Sequence, residues 1–332
     1  MSHDPLSDVL RSVRLRGAIF YYVSFDGEWA AETPASPMLA HALMPGADHV
    51  IAYHLMAHGE GWAAIDGLPP VRLSKGDIIM FPRGGAHTIS SAPGLEVKPD
   101  DSDWRFTTRD APKPIDVSYH RGVLRPGEAG PSEGARSVIV CGFVACDTKP
   151  FNPLINAMPQ MLHLRAEDLG PWTLNLLDQA VAESRERRAG SAAVLERVSE
   201  FVFVDAARRF LDSLPEGSDG WLGALRDRHV GQAIALMHEK PAQDWSVDDL
   251  GREVGLSRSA LHERFLELTG QSPMQYLANW RIQLGANLLR KGKAKVVDVA
   301  QEVGYESEAA FARAFKRLVG QPPATWRRAQ LG

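Results

Sequence analysis

The sequence predicts a multidomain α+β chain: an antiparallel β-barrel in the N-terminal part, then an all-α C-terminal domain with two helix-turn-helix motifs joined by a linker helix. Three observations predict it. Short apolar runs cut by Gly and Pro fill residues 10–145, the apolar period becomes helical from about Glu167, and one pattern occurs twice in the C-terminal third.

Bulk properties bound the reading. A chain of 332 residues that is 44% hydrophobic can build two or three domains with cores of their own. Only Cys141 and Cys146 are cysteines, which excludes a disulfide scaffold and suits a reducing cytoplasm, the expected location. No apolar run reaches the ~18 residues of a membrane span, and the first residues lack the apolar core of a signal peptide. The net charge of −4 argues against a protein that coats nucleic acid, but the charge is uneven. From Gly231 onward there are 14 Lys+Arg and 11 Asp+Glu, against 23 and 30 before it. A mildly basic module on an acidic body fits a DNA-reading part attached to something else.

Taken in order, residues 18–23, 49–56, 71–73, 78–81 and 138–144 read as strands, and 97–116 as a long, mobile polar loop. Residues 76–87 contain Gly, five residues, Pro82, Arg83, Gly84, two residues and His87. This resembles the second conserved motif of cupin barrels, which implies a turn at Pro82 and Gly84 and an inward His87. The first cupin motif supplies two His separated by one residue and then a Glu; here the stretch is Tyr53-His54-Leu55-Met56-Ala57-His58-Gly59-Glu60. His54 and His58 share a strand face but lie ~13 Å apart at ~3.3 Å per residue, so without a bulge they cannot hold one ion. No metal ligands are therefore assigned and no cofactor is certain, a metal ion in the barrel being the minor alternative. His54 and His87 are the candidate effector-pocket residues. Cys141 and Cys146 are the redox candidates; five apart on a regular strand they face opposite sides, and Cys146 reads as lying beyond the strand's end.

Residues 171–187 and 190–213 read as helices, with Leu195, Val198, Val202, Ala206 and Phe210 forming one apolar stripe. That stripe serves either dimerisation or packing on the chain's own barrel. Residues 214–220 (LPEGSDG) are the clearest linker.

In the repeat, Leu250, Val254, Gly255 and Leu256 correspond to Val299, Val303, Gly304 and Tyr305. Leu261, Phe265, Leu268, Gly270 and Pro273 correspond to Phe311, Phe315, Leu318, Gly320 and Pro323 with one inserted residue. Ser246 and Asp249 have capping-box spacing, Gly255 suits a left-handed turn, and Ser257 suits the cap of the following helix. Pro273 and Gly292 bracket a connecting helix. At ~1.5 Å per residue it is long enough to set two recognition helices over successive major-groove faces, ~34 Å apart.

Residues 221–328 resemble the DNA-binding domain of the AraC/XylS family of transcription regulators. The resemblance is carried by GLSRSALHERFLELTGQSPMQYL, WRIQLGANLL and VAQEVGYESEAAFARAFKRLVGQPPATWRR. Residues 141–164 look like the end of the cupin-type sensor domain of one subgroup. The resemblance implies a cupin-like sensor barrel at 1–165, a helical connector with possible dimerisation at 166–218, and an AraC-type DNA-binding domain at 219–332. Within the last, the motifs fall at about 246–268 and 296–319 and the linker helix at about 273–291.

It further implies a transcription regulator, not an enzyme, that binds double-stranded promoter DNA. The partners implied are RNA polymerase if it activates, a small-molecule or redox effector, and a second copy as a possible homodimer, with no membrane. A redox- or metal-responsive regulator using Cys141 and Cys146 is the alternative, and a cupin enzyme with an attached DNA domain a lesser one. Base-facing positions are Ser259, His262 and Glu263 in the first motif, and Glu308, Ala309, Ala312 and Arg313 in the second. Arg313 matches guanine bidentately. Glu263 either accepts from a cytosine amino group or pairs with a neighbour. Ser257 joins the DNA-facing set, and Arg258, Arg264, Arg281, Lys316, Arg327 and Arg328 are phosphate-contact candidates or solvated charges.

Overall fold

The computed structural model describes residues 3–96, 115–120, 123–126, 136–186, 188–292 and 294–331. Residues 97–114 of the polar stretch lie outside the described residues, while Ile115 and Asp116, read as the end of that loop, begin a strand paired with Tyr21 and Tyr22. The strands are β1 (Arg16–Phe25), β2 (Ala30–Thr33), β3 (His49–His58), β4 (Gly61–Ile65), β5 (Val71–Leu73), β6 (Ile78–Phe81), β7 (His87–Ser90), β8 (Ile115–His120), β9 (Val123–Pro126), β10 (Ser137–Cys146) and β11 (Leu162–Leu164). The helices are α1 (Pro5–Ser12), α2 (Ser36–Leu43), α3 (Pro153–Ala157), α4 (Pro171–Glu186), α5 (Ser191–Ser213), α6 (Trp221–Arg226), α7 (Arg228–Glu239), α8 (Val247–Val254), α9 (Arg258–Thr269), α10 (Pro273–Arg290), α11 (Val296–Glu302), α12 (Glu308–Val319) and α13 (Pro323–Leu331). None of them is long and apolar enough to cross a membrane.

Contacts divide the chain into two units. A sandwich unit holds residues 15–146 and 158–210, and a helical unit holds 1–14, 147–157 and 211–332. The units are thus not consecutive spans: the N-terminal helix and the segment after β10 cluster with the helical unit.

In the sandwich unit the expected barrel is realised as two sheets over one core. The larger runs β11-β6-β3-β10-β1-β8-β9 and the smaller β2-β7-β4-β5. Described pairs are antiparallel except β1 with β8. Val23, Phe25 and Ile139 of the larger sheet meet Ala63, Leu73 and Ile89 of the smaller in one apolar cluster. The other face of the larger sheet carries α5: Tyr53 Oη and Ser199 Oγ are 2.7 Å apart, and a Cβ at Gly17 would overlap the backbone of Glu196. With both faces covered, every residue of β10 is buried, which explains its unbroken apolar run. Leu195, Val198, Val202 and Ala206 are buried on α5.

The strand β10 also corrects the placement of Cys146, which is its last residue, opposite His49. Both cysteines are buried, and the strand holds them ~16 Å apart at ~3.3 Å per residue, so no disulfide can join them there.

In the helical unit the caps fall where the sequence placed them. Ser246 and Asp249 form a reciprocal capping box, Gly255 is left-handed at φ 76°, and Ser257 accepts from the Ala260 N–H at 3.3 Å. The unit holds its two outlying segments through one face of α10, at i, i+4 and i+7. Gln283 accepts from the Phe151 N–H at 2.9 Å and donates to the Ser12 carbonyl at 3.0 Å. Asn287 donates to the same carbonyl at 2.8 Å, and Arg290 pairs with Asp147 at 2.8 Å. Arg14 completes the group, donating twice to Asp147 at 3.0 and 3.1 Å.

Candidate functional site

Recognition surfaces in the helical unit are built by what each short helix buries. On α9 the buried set is Leu261, Phe265 and Leu268, leaving Ser259, His262 and Glu263 exposed, with Ser257 and Arg258 at its start. On α12 Phe311 and Phe315 are buried, so Glu308, Ala309, Arg313 and Lys316 are exposed while Ala312 is half-buried. The predicted faces thus emerge because the core anchors sit four apart, which fixes the opposite side of each helix. The spacer α10 has 18 residues, ~27 Å at ~1.5 Å each. Its Ile282, Ala286 and Leu289 share a core with Val299, Phe311 and Phe315.

The basic candidates divide by partner. Arg264 donates twice to Asp227, at 2.8 and 2.5 Å, and Asp227 in turn caps α7 through the His229 and Val230 N–H groups. Burial alone would raise the Asp227 carboxyl, but Arg264 and those two N–H groups hold it below its ordinary value. Arg281 donates to the Pro241 and Gln243 carbonyls, and burial lowers its affinity for protons. Arg327 donates to the Ala294 carbonyl. These three tie the unit together. Arg258 sits 3.5 Å from Asp248, both side chains well exposed, and Lys316 and Arg328 are exposed. Glu263 is exposed on α9. Sequence reasoning passed over Arg317, exposed beside Lys316, because one helical residue turns it ~100° from the chosen face.

The sandwich unit carries a second arrangement. Cys141 on β10 lies directly opposite His54 on β3. Cys141 Sγ is 3.1 Å from His54 Nδ1, His54 Nε2 is 2.8 Å from His87 Nε2, and His87 Nδ1 is 2.9 Å from the Gly85 carbonyl. The carbonyl can only accept, so His87 donates from Nδ1. Neutral His87 then accepts at Nε2 from His54, whose Nδ1 accepts from the Cys141 S–H. Burial pushes both imidazoles down, His87 to about 4, so the chain stays neutral at physiological pH. A thiol that donates to a neutral imidazole gains no positive charge from that partner to favour its thiolate, which disfavours the redox reading.

A cavity beside this chain is lined mainly by apolar side chains, among them Val23, Leu39 and Phe143, together with His54 and Cys141. Its central free space is about 50 Å3, so an organic ligand must part the walls to enter.

A cupin-type metal does not fit these residues. His54 and His87 converge through their Nε2 atoms, but among the described residues no third His, Cys, Asp or Glu joins them in a group that could hold an ion. A bulge at Ala57 does shift the register, yet His58 is exposed, and Glu60 pairs with Arg72 at 2.6 Å.

The neutral histidines make a pH prediction. In the unfolded chain His87 takes a proton near its ordinary 6.5, whereas folded it does so only near 4. The unfolded state therefore binds more protons between those values. Stability is complete above 6.5 and is lost as pH falls through the window. The expected slope from His87 is up to ~1.4 kcal/mol per pH unit, with His54 adding to it. Urea unfolding at about pH 7.5, 6 and 4.5 measures this. His87→Phe should flatten the slope, and an unchanged slope would contradict the assignment.

Comparison with known proteins matches both halves. A cupin family model covers residues 4–212, and a helix-turn-helix domain model covers 250–329. A Streptomyces lividans protein named as an AraC-like transcription regulator is 30% identical over 98% of both chains. The transcriptional regulator AlkR of Acinetobacter baylyi is 26% identical over 98% of this chain and 99% of its own. Among solved structures, the DNA-binding domain of AdpA in complex with a target DNA is 30% identical. That alignment covers 31% of this chain and 92% of that one, with a TM-score of 0.30.

Proposed function

Because the chain belongs to the AraC-like transcription regulators, a cupin-type region joined to a helix-turn-helix DNA-binding domain, we propose that it reads promoter DNA with α9 and α12 in successive major-groove segments, and that a small effector in the sandwich governs that reading. The chain is a DNA-binding transcription regulator; the residues, the effector and the coupling are the proposal. The observation that carries it is the pair of exposed helix faces, one with Ser259, His262 and Glu263 over the buried Leu261, Phe265 and Leu268, the other with Glu308, Ala309 and Arg313 over the buried Phe311 and Phe315, joined by one helix.

Chain connectivity supports the effector part. Strand β1 begins two residues after Arg14, and β10 ends one residue before Asp147. Both residues belong to the group on Arg290 of α10. An effector wedged against Cys141 and Phe143 of β10 would therefore pull on a segment anchored to the helix that spaces the two readers.

On this reading the protein regulates and does not catalyse, acts in the cytoplasm, and meets RNA polymerase at the promoter when it activates. A second copy is a further partner, and Trp172 at the start of α4, 66% exposed, suits a contact between copies. Two copies on one operator would raise affinity through linkage.

Arg313→Ala tests the base-reading assignment. It should cost ~1–3 kcal/mol at the cognate site and relax preference at one base pair, measured by titration of labelled duplexes. An equal loss on unrelated DNA would contradict base reading.

A further inference from the structure

The segment between α7 and α8 folds into a compact turn. The Gln243 N–H donates to the Lys240 carbonyl at 3.2 Å, the Trp245 N–H to the Gln243 carbonyl at 2.8 Å, and the Trp245 indole to the Lys240 carbonyl at 3.1 Å. Pro241 fixes one more backbone angle, and Trp245 is buried. Residues 240–245 therefore move with α7 and α8, as part of the first motif's body.

This turn touches the second motif. Gly304, between α11 and α12, has φ 87°, and a Cβ there would lie 2.6 Å from Ala242 Cα and 2.9 Å from the Ala242 carbonyl oxygen. Glycine meets both demands, the left-handed angle and the close approach. Arg281, halfway along α10, stands at the same junction. Its Nε donates to the Pro241 carbonyl at 2.6 Å and its Nη2 to the Gln243 carbonyl at 2.8 Å. The guanidinium carbon is 6.0 Å from the ring centre of Tyr305, which packs edge-on against Phe311 of α12 at 5.5 Å. One side chain thus meets the spacer helix, the first motif's turn and the second motif's turn. A planar fork with a face suited to stacking can do all three; the point charge of a lysine cannot.

We propose that Arg281 is a positioning residue that clamps the two motifs in one relative orientation, and that the clamp makes the protein selective for the spacing of its DNA elements. A shared helix sets how far apart two motifs sit along its axis but leaves each able to rock on its own seat. The contact at Ala242, Gly304 and Tyr305 adds a second tie off that axis, so rocking has to break it. One inserted base pair moves an element by ~3.4 Å and turns it by ~35°. Clamped readers cannot follow both changes, whereas unclamped readers absorb part of them. The selectivity rests on the reading of α9 and α12 as the DNA readers; the clamp does not.

Two measurements test clamp and selectivity separately. On the free full-length protein, spin labels at Glu253→Cys of α8 and Gln301→Cys of α11, both exposed positions, report the distance between the motifs. A control without the introduced cysteines subtracts any labelling of Cys141 and Cys146. The distance distribution should be narrow with Arg281 in place, and broader in Arg281→Lys and Arg281→Met. On DNA, one base pair inserted between the two elements of the selected duplex should cost the parent about tenfold or more in affinity, and Arg281→Lys less than about threefold. Duplexes carrying a single element should bind that variant and the parent alike. Unchanged distance distributions, or an equal insertion penalty, would each overturn the proposal. So would loss of single-element binding, which would make Arg281 a residue of the folded core alone. A salt dependence shallower by about one in Arg281→Met, with Arg281→Lys like the parent on every duplex, would make Arg281 a phosphate contact instead. If the parent selects no two-element duplex, the reading of α9 and α12 fails and the spacing selectivity with it, and the distances alone decide the clamp.

Discussion

Replacing Asp147 by alanine is expected to destabilise the helical unit by about 3–5 kcal/mol, the cost of leaving a buried charge without its partner. The Arg290 side chain is 12% exposed and Asp147 6%, so the guanidinium cannot recover water when the carboxylate goes. The Arg14 side chain is 49% exposed and contributes little to the loss, since exposed pairs are worth ~0–1 kcal/mol. Other contacts on the same face of α10, through Gln283 and Asn287, survive the change. Denaturant unfolding of the full chain, read by tryptophan fluorescence, should show the transition of the helical unit moving while that of the sandwich unit stays. In a double-mutant cycle, Arg290→Met on the Asp147→Ala background should restore part of the stability, because it removes the orphaned charge. A loss below ~1 kcal/mol would mean that the pair is solvated.

The second large effect is expected at Phe311, which is wholly buried. It packs against Phe315 at 5.5 Å between ring centroids and edge-on against Tyr305 at 5.5 Å. Gly285 of α10 lies so close that a Cβ there would meet the Phe311 ring at 2.8 Å. Phe311→Ala removes the ring from a site that helix backbone and aromatic neighbours cannot easily refill, at a cost of ~3–5 kcal/mol. The second helix-turn-helix unit has a small core, so a loss of this size should melt it while the first stays folded. Affinity for cognate DNA should then fall to that of one reader. Circular dichroism would report partial helix loss, and a duplex carrying only the first element should bind the variant and the parent alike. Full retention of two-element binding would contradict the placement of Phe311 as the keystone of that unit.

The helical unit was legible because its information is local. Ser246, Gly255, Ser257 and Pro273 mark helix ends by chemistry that acts within a few residues, and Phe265 and Phe315 repeat the same burial. The match between expected and observed helices follows from that locality. The longer strands were legible from apolar runs bounded by Gly and Pro. Strands β2 and β7 were not, because four residues of mixed polarity carry no period to read, and β4 is apolar throughout but only five residues long and opens on glycine.

What sequence could not supply was register and long-range anchoring. His54 and His87 stood out as pocket candidates, yet their neutral chain needs Cys141 directly opposite His54, which only strand pairing decides. Gln283 reaches a carbonyl 271 residues away, and Asp147 meets an arginine far along the chain. No periodicity announces such contacts, so α1 and residues 147–157 read as part of the barrel although they cluster with the helical unit. Cys146 read as lying past the strand's end because nothing local shows how far β10 runs.

We expect α10 to hold two readers at a fixed spacing on one face of DNA. The most direct measurement selects the preferred duplex from a random pool with the full-length protein, then inserts about five base pairs between its two elements, half a helical turn. The selected site should hold two short elements about one turn apart, and affinity should fall to that of a single element when the insertion turns one of them to the opposite face. An insertion that leaves affinity unchanged, or a selection that returns no shared sequence, would contradict it.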